Sequence, residues 1–305
     1  MYSIAIHGGA GTILKSQLTA DMEKAYSGSL FAALQAGERI LKEGGAALDA
    51  VTAAVKLLED DPLFNAGKGS VFTFNEKHEM DASIMNGANR ACGAVAGVSN
   101  VKNPVLLARM VMEQTEHVLL SGEGAEELAH EKGLVFEPDS YFFSEFRHRQ
   151  WKQVHQSGTT SLDHLDEKKF GTVGAVALDD QGNLAAATST GGMTNKKYNR
   201  IGDTPLIGSG TYANNETCAV SCTGHGEFFI RQVTAYDISC LMEYRGLSLS
   251  EACTLVVKNK LVELGGEGGV IAVDRKGNIE MVFNSEGMYR GRAGSNLPAE
   301  VAIYG

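Results

Sequence analysis

Residues 171–179 read Gly171-Thr-Val-Gly-Ala-Val-Ala-Leu-Asp179. The run is apolar and dominated by small residues, and it ends at the turn Asp179-Asp-Gln-Gly-Asn183. It predicts a buried strand from Thr172 that reverses into a second strand over Leu184 to Ser189. A similar unit stands near the other end of the chain, where Val270 to Asp274, the turn Asp274-Arg-Lys-Gly-Asn278 and Ile279 to Phe283 follow one another. In both, Asp and Gly-Asn supply the side-chain and positive-φ chemistry of a tight turn. They are two hairpins, not a sequence repeat.

Outward from these hairpins the periodicity changes. Tyr2 to His7 alternates like a strand, and Cys92 to Ser99 reads as a buried strand of small residues. Between them Leu30, Leu34, Gly37 and Leu41 mark a helix over Asp21–Lys42, ended by Gly44-Gly45. Leu48, Val51, Val55 and Leu58 mark a second, closed by Pro62, after which Asn65-Ala-Gly-Lys-Gly-Ser70 turns into strand-like Val71 to Phe74. Asn103-Pro104 is read as an N-cap with Pro at the first helical position, opening a helix to Gln114. A shorter helix covers Ala125–Lys132. In the C-terminal half, Phe229, Val233, Tyr236 and Cys240 predict one long helix, and another runs from Ser248 to Gly265-Gly266. Helices cluster in pairs and strands in hairpins, which argues for an α+β chain rather than a doubly wound parallel sheet. Residues 142–170 break the pattern: the last seventeen are polar, charged and aperiodic, and the interval is read as a flexible linker or a disordered stretch.

The chain has 305 residues and a formal charge of −10, with 43% hydrophobic and 21% charged residues. This is an ordinary globular composition, long enough to bury a sizeable core. The acidic balance argues against a nucleic-acid partner, and no apolar run is long enough to span a membrane. The N-terminus lacks the basic and apolar regions of a signal peptide. The five cysteines show no metal-ligand or disulfide spacing and read as reduced thiols, which points to the cytoplasm. Searches for a phosphate-binding G-x-x-x-x-G-K-[ST], a dinucleotide G-x-G-x-x-G, a G-x-S-x-G elbow and His-Glu-x-x-His all fail. No metal site is expected from the side chains.

One arrangement stands out. The polar linker runs directly into Gly171-Thr172. A strand opening on Thr is unremarkable in itself. If the Gly171–Thr172 bond were cut, however, Thr172 would carry a free α-amine of pKa about 7.7–8.0 beside its own hydroxyl, the N-terminal-threonine form of an activated nucleophile. Downstream lie Thr188-Ser-Thr-Gly-Gly-Met-Thr194, Arg200-Ile-Gly-Asp203 and Thr223-Gly-His-Gly-Glu227. Arg200 and Asp203 form a cation–anion pair suited to a zwitterionic amino-acid head group, or else an ordinary surface salt bridge.

Taken together with His7-Gly-Gly-Ala-Gly11 and Leu63-Phe-Asn-Ala-Gly-Lys-Gly69, these motifs resemble the plant-type L-asparaginase / isoaspartyl peptidase family of N-terminal-nucleophile hydrolases. The resemblance covers nearly the whole chain except residues 142–170. It implies a single domain over 1–305 with a four-layer αββα sandwich, autocatalytic cleavage into an α chain (1–171) and a β chain (172–305), and an (αβ)₂ assembly. It implies Thr172 as nucleophile, Thr190 as the threonine orienting it, and Thr223 with the Gly224 N–H as oxyanion hole. Arg200 and Asp203 would hold the substrate carboxylate and amine, helped by Gly224 and Gly226, with Asn65 in support. The substrates implied are L-asparagine and isoaspartyl dipeptides, with no cofactor except a structural Na⁺ in the loop 58–68. Relatives often carry Gly before the arginine, where this chain has Asn199. A glycosylasparaginase of the same fold and a non-catalytic amino-acid-binding relative are the alternatives.

Overall fold

The computed structural model describes residues 1–11, 13, 18–156 and 171–305. Its N-terminal half contains β1 (Ser3–Gly11), α1 (Ala20–Lys42), α2 (Ala47–Glu59), β2 (Met80–Asn86), β3 (Cys92–Val98), α3 (Pro104–Gln114), β4 (Leu119–Ser121), α4 (Gly122–Glu131), α5 (Asp139–Phe142) and α6 (Glu145–Gln156). The C-terminal half continues with β5 (Thr172–Leu178), β6 (Leu184–Thr190), β7 (Thr211–Ala213), β8 (Cys218–Gly224), α7 (Gly226–Gln232), α8 (Thr234–Arg245) and α9 (Leu249–Thr254). A π-helical turn (Leu255–Lys260) leads into α10 (Leu261–Glu263), and β9 (Gly268–Asp274), β10 (Ile279–Phe283), β11 (Gly287–Gly294) and β12 (Leu297–Tyr304) complete the chain.

The strands form an eight-stranded sheet, in the order β12-β11-β1-β5-β6-β2-β3-β4, and a four-stranded sheet, β10-β9-β8-β7. The architecture is therefore mixed α and β. Strands β5 and β6 are buried along their whole length, which explains their small residues and near absence of polar alternation. Ile4, Ile6, Val173, Ala175 and Ala187 share one apolar cluster with Leu30 and Leu34 of α1 and Val51, Val55 and Leu58 of α2. Ala5, Val176, Leu178 and Ala186 share a second with Cys218, Val220 and Cys222 of β8, Val270 and Ala272 of β9, and Ile238, Leu249 and Val256 behind them. Truncating a fully buried Leu such as Leu58 to Ala would cost about 2–5 kcal/mol. Gly37 lets α1 approach closely, since a Cβ there would collide with Ile4 Cδ1 and lie 2.9 Å from Ala50 O.

Both hairpin turns close by the same device. Asp179 Oδ1 accepts from the Gln181 and Asn183 amides (3.1 and 2.8 Å), and Asp274 Oδ1 from Lys276 and Asn278 (2.9 Å each). Asp179 also caps α2 in trans, its Oδ2 accepting the Ala47 N–H at 3.1 Å.

Several sequence expectations are corrected. Val71–Phe74 is not a strand. Asn103 does stand at the N-cap of α3 with Pro104 after it, but its side chain makes no cap bond: its amide donates to Asp60, and the Val105 N–H is taken by the buried Glu59 carboxylate at 2.9 Å. The single helix expected through Val233 is broken there, with Val233 left-handed at φ 51°. The break frees the first turn of α8 to donate Ala235 N–H to Ser209 O and Tyr236 N–H to Gly208 O. The last helix starts on a complete Ser248–Glu251 capping box. A further hairpin, β11–β12, which the sequence reading did not include, follows β9–β10, and its first strand pairs with β1. Within the interval read as a linker, residues 145–156 are helical, with Arg147, Trp151 and Val154 on the buried face. The stripe was hidden because one of its positions is an arginine, which donates to Gly69 O (3.2 Å), Leu63 O (3.3 Å) and Gln150 (3.3 Å). The remainder of that interval, 157–170, lies outside the described residues.

None of the five cysteines is bonded to another, and Cys218, Cys222 and Cys253 are buried. No described helix is long and apolar enough to cross a membrane.

Candidate active site

Antiparallel pairing of β5 with β6 sets Thr172 directly opposite Thr190. Side chains on directly opposed residues project to the same face. The Thr172 hydroxyl donates to Thr190 Oγ1 at 3.2 Å, and the Thr190 hydroxyl donates to the carbonyl oxygen of Gly171 at 3.3 Å. Thr190 Oγ1 also accepts the Gly192 N–H at 3.0 Å. One hydroxyl thus touches Thr172 and the carbonyl immediately before it.

Asn65, on the loop after α2, locks the turn beyond Thr190. It donates from Nδ2 to Gly192 O (2.8 Å), accepts the Val71 N–H on Oδ1 (3.0 Å), and accepts the Gly191 N–H on its own carbonyl (3.0 Å). Gly171 passes against it so closely that a Cβ would stand 2.5 Å from Asn65 Cβ. A glycine at 171 is a steric requirement of that approach.

Thr223 and Gly224 end β8. Thr223 is fully buried, and its Oγ1 accepts the Ala10 N–H at 3.2 Å, so its own proton remains for donation. Gly224 has φ 152°, and a Cβ there would collide with Glu267 O. The glycine-rich end of β1 therefore supports the hydroxyl of Thr223.

Arg200 and Asp203 are brought together around Gly226, whose Cβ would lie 2.8 Å from both Arg200 Nη2 and Asp203 Oδ1. They do not pair as the sequence suggested. Arg200 makes a two-pronged bond with Glu227 instead, Nε to Oε1 and Nη2 to Oε2, both 2.8 Å. That geometry matches the planar guanidinium fork. Burial would raise the Glu227 carboxyl, but His225 and Arg200 hold it well below the usual carboxylate range. Asp203 is left with Oδ2 unpartnered among the described residues. Burial pushes its carboxyl up to about 7, against its own backbone amide and Arg200. Asn199 sits in the left-handed region at φ 52°, a conformation that Asn tolerates and Gly adopts freely.

Two residues of this neighbourhood had no assigned part in the sequence. Glu227 is visible there only as the end of a glycine-rich motif. His7 is fully buried, its Nδ1 2.9 Å from Thr172 O and its Nε2 2.9 Å from Ser221 Oγ. Burial lowers its pKa to about 3, so it is neutral. The signal that could have found it is a histidine inside an otherwise apolar strand. Among the described residues no cluster of three or more His, Cys, Asp or Glu could hold a metal ion.

A family model described as Asparaginase matches residues 1–303. The chain belongs to the asparaginase family. It is 56% identical over 292 residues to a protein of Escherichia coli (strain K12) named isoaspartyl peptidase, covering 94% of this chain and 91% of that one. A Salmonella typhimurium protein of the same name is 55% identical, over 94% and 93% of the two chains. An isoaspartyl peptidase/L-asparaginase of Xenopus laevis is 42% identical, over 93% and 90%. The match to the family runs across the interval 142–170, so family membership extends over the part of the sequence that had offered no motif.

Proposed function

We propose that the protein is a self-cleaving amidohydrolase that converts L-asparagine to L-aspartate and ammonia and removes isoaspartyl residues from the N-terminus of dipeptides. The observation that carries this reading is the position of one hydroxyl, Thr190 Oγ1, between Thr172 Oγ1 and the Gly171 carbonyl oxygen, in a chain of the asparaginase family. In maturation the Thr172 oxygen attacks the Gly171 carbonyl carbon, the Gly171–Thr172 C–N bond breaks, and the resulting ester is hydrolysed. The products are an α chain of residues 1–171 and a β chain of 172–305, held in the single domain and paired as (αβ)₂.

In the catalytic cycle the freed α-amine of Thr172 takes the proton of its own hydroxyl. The oxygen adds to the side-chain carbonyl of the substrate, and the oxyanion accepts from the Thr223 hydroxyl and the Gly224 N–H. Ammonia or an amino acid leaves with a proton from the amine, and water releases L-aspartate from the Thr172 ester. Arg200, whose Nε–Nη2 edge is held by Glu227, receives the substrate α-carboxylate on its remaining N–H groups with Gly226 at its side, and Asp203 receives the α-ammonium; a carboxylate oxygen unpartnered among the described residues beside a partly exposed arginine supports that division. Asn65 holds the turn on which Thr190 depends.

The same reading includes a four-layer αββα arrangement, supported by the two apolar clusters on opposite faces of the long sheet, and a cytoplasmic setting, supported by five unpaired cysteines. The reaction needs no organic cofactor. A structural Na⁺ fits the loop 58–68: the carbonyls of Glu59, Pro62 and Phe64 crowd Gly67 and Gly69 where a Cβ would collide with them, an oxygen-rich cradle of the kind hard cations take. No step of the chemistry passes through it.

Intact mass and N-terminal sequencing after incubation at neutral pH test the proposal. Fragments of roughly 18 and 14 kDa are expected from chain length alone, the smaller beginning Thr-Val-Gly-Ala. An uncut chain, or a cut elsewhere, would overturn it.

A further inference from the structure

His7 is the last residue of β1 to pair with β5, opposite Gly174. The ladder between these strands therefore stops two residues short of Thr172. The imidazole spans the gap, with Nδ1 2.9 Å from the Thr172 carbonyl oxygen. A carbonyl can only accept, so the proton of the neutral ring is on Nδ1 and Nε2 presents a lone pair.

That assignment propagates. Nε2 must receive the Ser221 proton, across 2.9 Å. Ser221 has then spent its only proton, so across the 2.7 Å contact with Thr188 it is Thr188 that donates. Thr211 in turn donates to Thr188 at 2.5 Å. Ser83 closes the far end, its proton shared between Thr211 Oγ1 (2.8 Å) and the Thr204 carbonyl (2.6 Å). The weaker alternative for Thr188, the Gly210 carbonyl, is at 3.3 Å. All five groups are fully buried, and they come from five strands of both sheets. Gly174 makes room for them: a Cβ there would collide with Ser221 Oγ and stand 2.5 Å from His7 Nε2.

A row of buried hydroxyls is not what stability alone selects, since apolar residues of the same shape are often as stable. This row has a direction, and it ends on the residue whose N-terminal tether is lost on cleavage. We propose that His7, kept in its Nδ1–H form by the Thr172 carbonyl and oriented by the hydroxyl chain Thr211–Thr188–Ser221, is a positioning residue that holds the N-terminal Thr172 by that carbonyl. With the C–N bond to Gly171 gone, rotation about the Cα–C bond of Thr172 would swing its amine and hydroxyl together away from Thr190. The bond from His7 fixes the carbonyl plane and so limits that rotation. The inference rests on Thr172 being the nucleophile.

The test combines kinetics with spectroscopy. In two-bond ¹H–¹⁵N spectra of histidine-labelled protein, assigned with a His7→Asn variant, wild-type His7 should carry its proton on Nδ1. Ser221→Ala removes the donor to Nε2 and leaves the imidazole held by the Thr172 carbonyl alone, so the ring is less firmly oriented. The variant's kcat on a β-aspartyl dipeptide should fall about tenfold, within the range that sub-ångström misplacement of reacting groups produces, with KM within about twofold. Thr188→Val should act in the same sense and Thr188→Ser should restore wild-type kcat. A merely structural role would lower the melting temperature of Ser221→Ala while leaving kcat unchanged, and that result overturns the proposal, as does a wild-type proton on Nε2. If Ser221→Ala does not fold, the Thr188 pair and the wild-type spectrum decide. A wild-type protein that neither cleaves nor hydrolyses would overturn the assignment of Thr172 itself, an outcome distinct from an active wild type with an unaffected Ser221→Ala.

Discussion

Thr172 and Thr190 face each other across adjacent antiparallel strands with their hydroxyl oxygens 3.2 Å apart, and the proton of Thr190 points to the carbonyl of Gly171. Under the proposed chemistry this places a donor on the oxygen that becomes negative when Thr172 attacks the bond before it. A donor already aimed at that oxygen needs no reorganisation when the charge develops.

Thr190→Val should therefore stall maturation. Removing one such donor typically costs about 10²–10³ in rate, and the uncut chain should accumulate on that scale in time-resolved intact-mass measurements. The variant also strips the Gly192 N–H of its acceptor, so a loss of about 1–3 kcal/mol in stability is expected alongside. Thr190→Ser keeps all three bonds and should cleave at close to the wild-type rate. Equal cleavage of the Val variant and wild type would remove Thr190 from the mechanism.

Thr223→Ala tests the other donor. Its hydroxyl accepts from Ala10 and has its proton free for the substrate oxyanion. With mature enzyme, kcat should fall about 10²–10³-fold while the circular-dichroism spectrum is retained. Steady-state constants within about threefold of wild type are incompatible with that expected loss.

How much of this was legible beforehand depends on whether the signal was local. Helices α1, α2 and α3 announce themselves through apolar stripes and Gly or Pro at their ends, and the two Asp-based hairpins through turn chemistry. The stripe of α6 escaped because Arg147 occupies an apolar position and is satisfied by carbonyls from a loop almost eighty residues earlier. The break at Val233 escaped because its cause is the loop 208–209, not the residues around it. In the site, the residue types of Thr172, Thr190, Arg200 and Asp203 were readable, but not their partners. Arg200 prefers Glu227 for reasons of fork geometry that no spacing reveals. His7 was readable as the end of a strand, but its partners Thr172 and Ser221 come from strands far along the chain, which no local signal brings to it.

Gly226→Ala separates binding from maturation. The added methyl would stand 2.8 Å from both Arg200 Nη2 and Asp203 Oδ1, so one of the two must move. Disturbing one charge-assisted hydrogen bond, about 1.5–3 kcal/mol, should raise KM for L-asparagine about 10- to 100-fold. Autocleavage, which in the proposed scheme involves Thr172 and Thr190 but no free substrate, should proceed normally. Slow cleavage with unchanged KM would reverse the roles assigned to the two clusters.

Asp203→Asn sets function against stability. Burial raises the carboxyl from 3.8 to about 7 in the folded chain, so between those values the folded state binds more protons than the unfolded one. Stability contributed at this site accordingly falls as pH rises from about 4 to about 7 and then levels off. The neutral amide has no such penalty: Asp203→Asn should melt higher than wild type near pH ~8 and lose that advantage near pH ~3, where wild-type Asp203 is mostly protonated in both states. For binding the sign is opposite, because only the carboxylate can receive a substrate ammonium. In wild type kcat/KM for L-asparagine should therefore climb with pH through about 7, the pKa of this group in the free enzyme; in the Asn variant most of the activity should be lost and only the later rise set by the Thr172 α-amine, at about 7.7–8.0, should remain. Melting curves that run parallel in pH for the two proteins would show that Asp203 is not held in a costly buried state, and its readiness to take a cation would then have no physical basis.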